Sequence, residues 1–217
     1  HLCNPLKLGR ISRERGFASA ARAIWQRENF DLVQSHERIA GCDIYRAGDG
    51  VHRNWLLQRA RQLPAWRRTL MFNSPYHRFV MQAEKDMYSA PELKAVICNA
   101  EMIKREIVEQ FQVAPEKITV IYNAIDHHTF QPADIALKRQ LRQAYQLPEQ
   151  AHCLIFVGSG FERKGLEAAI RAIAPTESYL MVIGRDKNQK AYQALAGSLG
   201  CQSRVRFMGV QKSTLPF

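Results

Sequence analysis

Between residues 152 and 208, short uninterrupted apolar runs alternate with amphipathic segments. Strands are expected at 152–157, 179–183 and 204–208, with helices at 164–174 and 188–199. A strand that is apolar on both faces must be covered on both, and helices in alternation supply that cover over a parallel sheet. Right-handed crossovers make the block half of a doubly wound α/β domain, with strand 152–157 expected at its centre.

A second, less regular alternation precedes it. Ala95-Val-Ile-Cys98 reads as a strand, Asn99 as the cap of a helix reaching about Gln112, and Ile118-Thr-Val-Ile121 as the next strand. Further upstream, residues 17–28 have helical periodicity, and Asp31-Leu-Val-Gln34 and Asp43-Ile-Tyr45 read as short strands. Residues 53–72 read as helix broken near Pro64, and Asn73-Ser74-Pro75 starts a helix running to about Tyr88. Residues 127–150 are polar, hold Pro132 and Pro148, and contain a helical segment from about Asp134 to Tyr145. The expected domains are therefore 1–130 and 151–217, joined by a linker at 131–150.

The 217 residues allow one large or two small cores. No apolar run is long enough to span a bilayer, and no signal-peptide pattern opens the chain. The chain begins at His1 and closes at Phe217 soon after an apolar strand, and is expected to be a piece of a longer protein. The five cysteines are scattered at 3, 42, 98, 153 and 201 without a C-x-x-C pair. They read as small core residues in a reducing compartment, and no metal site is expected. The net charge is +11, from 31 Lys+Arg against 20 Asp+Glu. It admits phosphorylated small molecules, an anionic membrane or nucleic acid as partners.

The turn after strand 152–157 narrows that choice. It reads Gly158-Ser-Gly160-Phe-Glu-Arg163-Lys164-Gly165-Leu166, with a helix expected to open on the two cations. Cations oppose the field at a helix N-terminus unless an anion binds there, and phosphate is the usual one. The dinucleotide fingerprint fails, because its sixth position is Arg163 rather than Gly. The P-loop fails, because Leu166 follows the second glycine where Lys and Ser/Thr are required. Two fixed cations could hold a diphosphate leaving group without a metal. The alternative is a surface turn with incidental Arg and Lys.

The stretch Ile155-Phe-Val-Gly-Ser-Gly-Phe-Glu-Arg-Lys-Gly-Leu166 resembles the donor loop of retaining GT-B glycosyltransferases of the family 4 type, in particular the lipopolysaccharide core glucosyltransferases. Further segments agree in order: Ala95-Val-Ile-Cys-Asn-Ala100 followed by Lys104-Arg-Glu-Ile107, then Pro115-Glu-Lys-Ile-Thr-Val-Ile-Tyr-Asn-Ala-Ile-Asp126, Val182-Ile-Gly184 and Val205-Arg-Phe-Met-Gly209. Ala124 departs from the glycine common at its position. The resemblance implies two Rossmann-like domains, both incomplete here, and transfer of a sugar from a nucleoside-diphosphate sugar, UDP-glucose or similar, with retention. It implies no cofactor.

The same resemblance implies roles. Arg163 and Lys164 would contact the diphosphate, and Gly158 and Gly160 would let the backbone approach it. Gly184, Arg185 and Asp186 would line the same crevice, and Gly209, Val210 and Gln211 would lie near the base. Asp49, in Tyr45-Arg-Ala-Gly-Asp49, would face the cleft as a catalytic or sugar-orienting carboxylate. As a residue before Gly50 it also suits a plain turn. His52 and Glu84 are weaker candidates, and His127 and His128 fall in the linker. A second donor loop carrying paired glutamates would lie beyond Phe217, so this piece is expected to be inactive alone.

Arg53, Arg59, Arg61, Arg67 and Arg68 interleave with Trp55, Leu56, Leu57, Leu63 and Trp66. That mixture suits an anionic lipid surface and a lipid-linked glycan acceptor, at the cytoplasmic face of the inner membrane. The competing expectation turns the Trp/Leu face into the core. Two other functional classes remain: a nucleic-acid-binding module, for which no recognition signature is present, and a nucleotide-binding protein without catalysis.

Overall fold

The structure, a computed structural model, describes residue 3, residues 8–61 and residues 63–217. The chain divides into two units, His1–Ala124 and Ile125–Phe217. The division falls a few residues before the expected linker, and the helix inside that segment belongs to the second unit.

The first unit holds a parallel sheet in the order β1 (Gln34–Ser35), β2 (Ile44–Ala47), β3 (Ala95–Cys98), β4 (Ile118–Val120). Its helices are α1 (Arg10–Glu28), α2 (His52–Ala60), α3 (Ala65–Phe72), α4 (Pro75–Tyr88) and α5 (Glu101–Phe111). The break at Pro64 is real, and Gln62 within it lies outside the described residues. Tyr45, Val96, Cys98 and Ile118 from the strands pack with Met87, Ile103 and Ile107 from the helices.

Two local expectations fail here. Residues 31–33 are not strand: the ladder with β2 starts at the Val33 carbonyl, which accepts the Ile44 N–H, while the Val33 N–H goes to the Asp43 carboxylate at 2.9 Å. Asn99 does not cap α5. Ala100 occupies that position, and the Asn99 amide donates instead to the Gly48 carbonyl at 2.9 Å.

The second unit opens with α6 (Ile135–Ala144), capped by Asp134 through the Leu137 N–H. Then come β5 (Cys153–Val157), α7 (Phe161–Lys164), α8 (Leu166–Ile173), β6 (Tyr179–Ile183), α9 (Gln189–Ser198) and β7 (Val205–Gly209). The strands are parallel in the order β5-β6-β7. Phe161, Leu166, Ile170, Leu180, Val182 and Cys201 form the core.

The strand expected at the centre is an edge. Among the described residues β5 pairs with β6 alone, and Leu154, Ile155 and Val157 are 48%, 45% and 50% exposed. The order is that of one mononucleotide-binding half, in which the first strand sits at the switch point beside which the other half would add. For the same reason Cys153 is exposed and not a core residue, whereas Cys42, Cys98 and Cys201 are buried. The expected helix 164–174 is also divided. Gly165, at φ 81°, ends the single turn of α7 and precedes α8.

Candidate functional site

Three turns leave the carboxyl edge of the second sheet, and backbone hydrogen bonds tie them together. The Gly158 N–H donates to the Ile183 carbonyl at 2.9 Å, and the Gly184 N–H donates to the Gly209 carbonyl at 2.8 Å. A β-carbon on residue 184 would lie 2.2 Å from the Gly158 oxygen, so only glycine fits. Gly158 is itself at φ 145° and Gly160 at φ 72°, conformations that L side chains rarely adopt. Gly158, Gly160, Gly184 and Gly209 therefore stand at one edge of one sheet, where ligands bind in open α/β folds.

Arg163 and Lys164 stand at that edge too, but differently from the expectation. They do not open a helix. They close the one-turn α7, where a cation agrees with the local dipole, and α8 begins only after Gly165. No cation is penalised at a helix start here, so the helix field by itself calls for no bound anion. What remains is two exposed cations beside a glycine turn, with the Lys164 methylenes 3.6 Å from where a β-carbon on Gly158 would be. Arg185 and Val210 are exposed on the neighbouring turns, and the Gln211 amide is held by the Met208 carbonyl at 2.5 Å.

Asp186 is engaged by the backbone of two turns. One carboxylate oxygen accepts the Asn188 N–H at 2.8 Å and the other the Phe161 N–H at 2.9 Å. These bonds hold its carboxyl below the usual carboxylate range. Phe161, unremarked in the sequence, is wholly buried, edge-on to Phe156 and Tyr192.

In the first unit, Asp49 is exposed on the turn that leaves the carboxyl end of β2. That turn is anchored by Asn99 at Gly48 and by Glu106, whose carboxylate accepts the Val51 N–H at 3.0 Å. Glu84 is 3% exposed and structural. It accepts the His52 N–H at the start of α2 and the Arg38 Nε–H at 2.9 Å. Burial pushes its carboxyl up, against the pull of Arg38. His52 shares a 3.0 Å hydrogen bond with His77 and stacks on Trp55. Burial, then His77, lowers its pKa to about 4. His127 and His128 are exposed. Glu84 was readable as unusual, since Val80, Glu84 and Met87 share one buried face of α4. Asp186 and Phe161 carried no such signal.

The basic stretch divides between the two outcomes. α2 buries Leu56 and Ala60, while α3 buries nothing and leaves Trp66 and Leu70 61% and 63% exposed, with Arg67 lying over the Trp66 ring. A cleft of about 430 Å³ beside it is lined by Arg10, Trp55, Arg59, Arg67, Leu70 and His77 among others. Among the described residues, no helix is long and apolar enough to cross a membrane, and no group of three or more His, Cys, Asp or Glu could hold a metal.

Known proteins resemble this chain in sequence and fold. The chain is 27% identical over 184 residues to the lipopolysaccharide glucosyltransferase WaaG of Escherichia coli K12, covering 82% of this chain and 47% of the relative. It is 22% identical over 203 residues to the D-inositol 3-phosphate glycosyltransferase of Mycobacterium marinum, covering 89% of this chain and 42% of the relative. Among solved structures, WaaG superposes with a TM-score of 0.81 at 20% identity, over 100% of this chain and 58% of that one. Anabaena HepE, solved with UDP-glucose, does so at 0.64 and 17% identity, over 97% and 55%. The fold is thus that of the GT-B glycosyltransferases, and the chain spans about half the length of the relatives it matches. Residues 1–129 match the family described as Glycosyltransferase Family 4, more than half of the chain, and the chain belongs to that family.

Proposed function

We propose that this chain supplies the acceptor-side domain and the first half of the donor domain of a transferase. The enzyme moves a hexose from a nucleoside-diphosphate sugar, UDP-glucose or a close analogue, to a glycan of the lipopolysaccharide core type, with retention at the anomeric carbon. The observation that carries the reading is the row of three glycine turns at one sheet edge with Arg163 and Lys164 exposed beside it. Charge develops on the diphosphate as the anomeric C–O bond breaks, so cations placed there lower the barrier directly. Gly158 and Gly160 give the backbone close access to phosphate, Arg185 adds a cation, and Gly209 and Val210 border the base. Asp49 is the carboxylate that orients the acceptor or its sugar. UDP and UDP-glucose are the ligands named in the HepE structures, which supports the choice of donor.

Because the matched relatives are about twice as long, the activity belongs to a longer form, and this stretch alone is inactive. In that longer form, Lys164→Ala is expected to lower turnover by orders of magnitude, about 3 kcal/mol in the barrier. Turnover within a few fold of wild type, read by nucleoside diphosphate release, contradicts the assignment.

A second element concerns location. The exposed Trp66 and Leu70 flanked by arginines favour contact with anionic lipid at the cytoplasmic face of the inner membrane, where a lipid-linked acceptor resides. Co-sedimentation with anionic vesicles at low salt should fall for Trp66→Ala with Leu70→Ala. Binding that is absent in the parent or unchanged in the variant removes this element.

A further inference from the structure

The geometry points to Asp186 as the residue that positions the Arg163–Lys164 pair, acting from a neighbouring turn and without touching the donor. This inference rests on the donor-loop reading above. α7 is four residues long. A helix of that length cannot sustain itself, because a single turn fixes several dihedral angles for one hydrogen bond. Here the Lys164 N–H donates to the Gly160 carbonyl at 3.1 Å and the Gly165 N–H to the Glu162 carbonyl at 3.2 Å. Contacts outside α7 must hold it, and two of them fall at its first residue. The Phe161 ring is wholly buried in the core. The Phe161 N–H, which no carbonyl within α7 can take, is accepted by Asp186 at 2.9 Å.

Asp186 is in turn fixed by the Asn188 N–H at 2.8 Å, two residues along its own turn. The carboxylate therefore clamps the turn after β5 to the turn after β6. The contact of Gly158 with Gly184 locks the same two turns at their bases. Gly160 and Gly165 are both in left-handed conformations, so the chain turns sharply on either side of α7. With glycine at both ends, the side chains two and three residues after Phe161 point where the Phe161 anchor sends them. A negative charge beside an anion site is tolerable because both of its oxygens already accept N–H groups.

The test uses the full-length protein and two readouts. Amide hydrogen exchange reports the Phe161 N–H, and calorimetry reports the affinities for UDP and for uridine. Asp186→Ala is expected to deprotect Phe161 and to weaken UDP roughly tenfold to a hundredfold, as loss of a hydrogen bond to a charged group implies. Uridine, which lacks the diphosphate, should be affected by no more than about twofold. Asp186→Asn keeps one acceptor oxygen and should fall between wild type and Asp186→Ala. It also carries the test if Asp186→Ala fails to fold. UDP affinity like wild type in the variants that fold, or equal losses for UDP and uridine, overturns the inference. Lys164→Ala separates the two layers. If it weakens UDP while the Asp186 variants do not, the clamp fails and the donor loop stands. If Lys164→Ala binds UDP normally, the donor loop fails, and the Phe161 exchange rate alone then decides whether Asp186 holds α7.

Discussion

The two units build their carboxyl edges by different means. The first unit fixes the turn after β2 with side-chain carboxylates: Glu84 holds the start of α2 and Arg38, and Glu106 holds Val51. The second uses backbone against backbone, with Gly184 pressed on Gly158 and a single carboxylate, Asp186, as clamp. The difference teaches where each unit is vulnerable. The first should respond to changes of charge and protonation, the second to added volume.

The largest effect should therefore come from Gly184→Ala. Its β-carbon would sit 2.2 Å from the Gly158 oxygen, at a φ of 130° that an L residue resists. The cost should be about 3–5 kcal/mol, seen as loss of the second unit's thermal transition with that of the first retained. A variant as stable as the parent breaks the contrast at its strongest point.

Next is Glu84→Ala in the first unit. It leaves the His52 N–H and the Arg38 guanidinium without their shared acceptor, at about 2–4 kcal/mol. Denaturant unfolding checks the size, and a loss under about 1 kcal/mol would mean that the buried carboxylate holds little.

The smallest effect sharpens the comparison by pH. His52 titrates near 4 in the folded chain, against the usual 6.5. Between those values the unfolded chain binds more protons, so stability falls as pH drops from about 6.5 towards 4. His52→Gln should flatten the melting temperature across that window for the first unit. An unchanged pH profile would show that His52 is not held neutral.

Much of this was legible in the residues, and what was not has identifiable causes. The apolar runs at 95–98, 153–157 and 179–183 announce parallel strands, because a strand suited to cover on both faces has no polar alternation. Pro64, Ser74-Pro75 and Asp134 marked helix boundaries correctly, being local signals. Gly165 does not stand out as a helix break, because one glycine in a helical pattern is tolerated. Arg163 and Lys164 lie at the carboxyl edge of the sheet, yet they end one helix and do not begin another. The Asp186–Phe161 bond joins residues 25 apart on two turns, and only the pairing of β5 with β6 creates it. Asn99 looked like a cap by type, yet tertiary contact with Gly48 took its side chain. β5 was expected inside its sheet by composition and lies at the edge, because a strand's apolarity records the neighbours it is suited to and not their number in this chain.

The account stands on diphosphate oxygens meeting the guanidinium of Arg163 and the ammonium of Lys164. The most direct measurement is the affinity of the full-length protein for UDP, with and without Arg163→Ala and Lys164→Ala combined. Two charge-assisted contacts predict a loss of about a hundredfold or more. A loss under about threefold would place the diphosphate elsewhere and contradict the account.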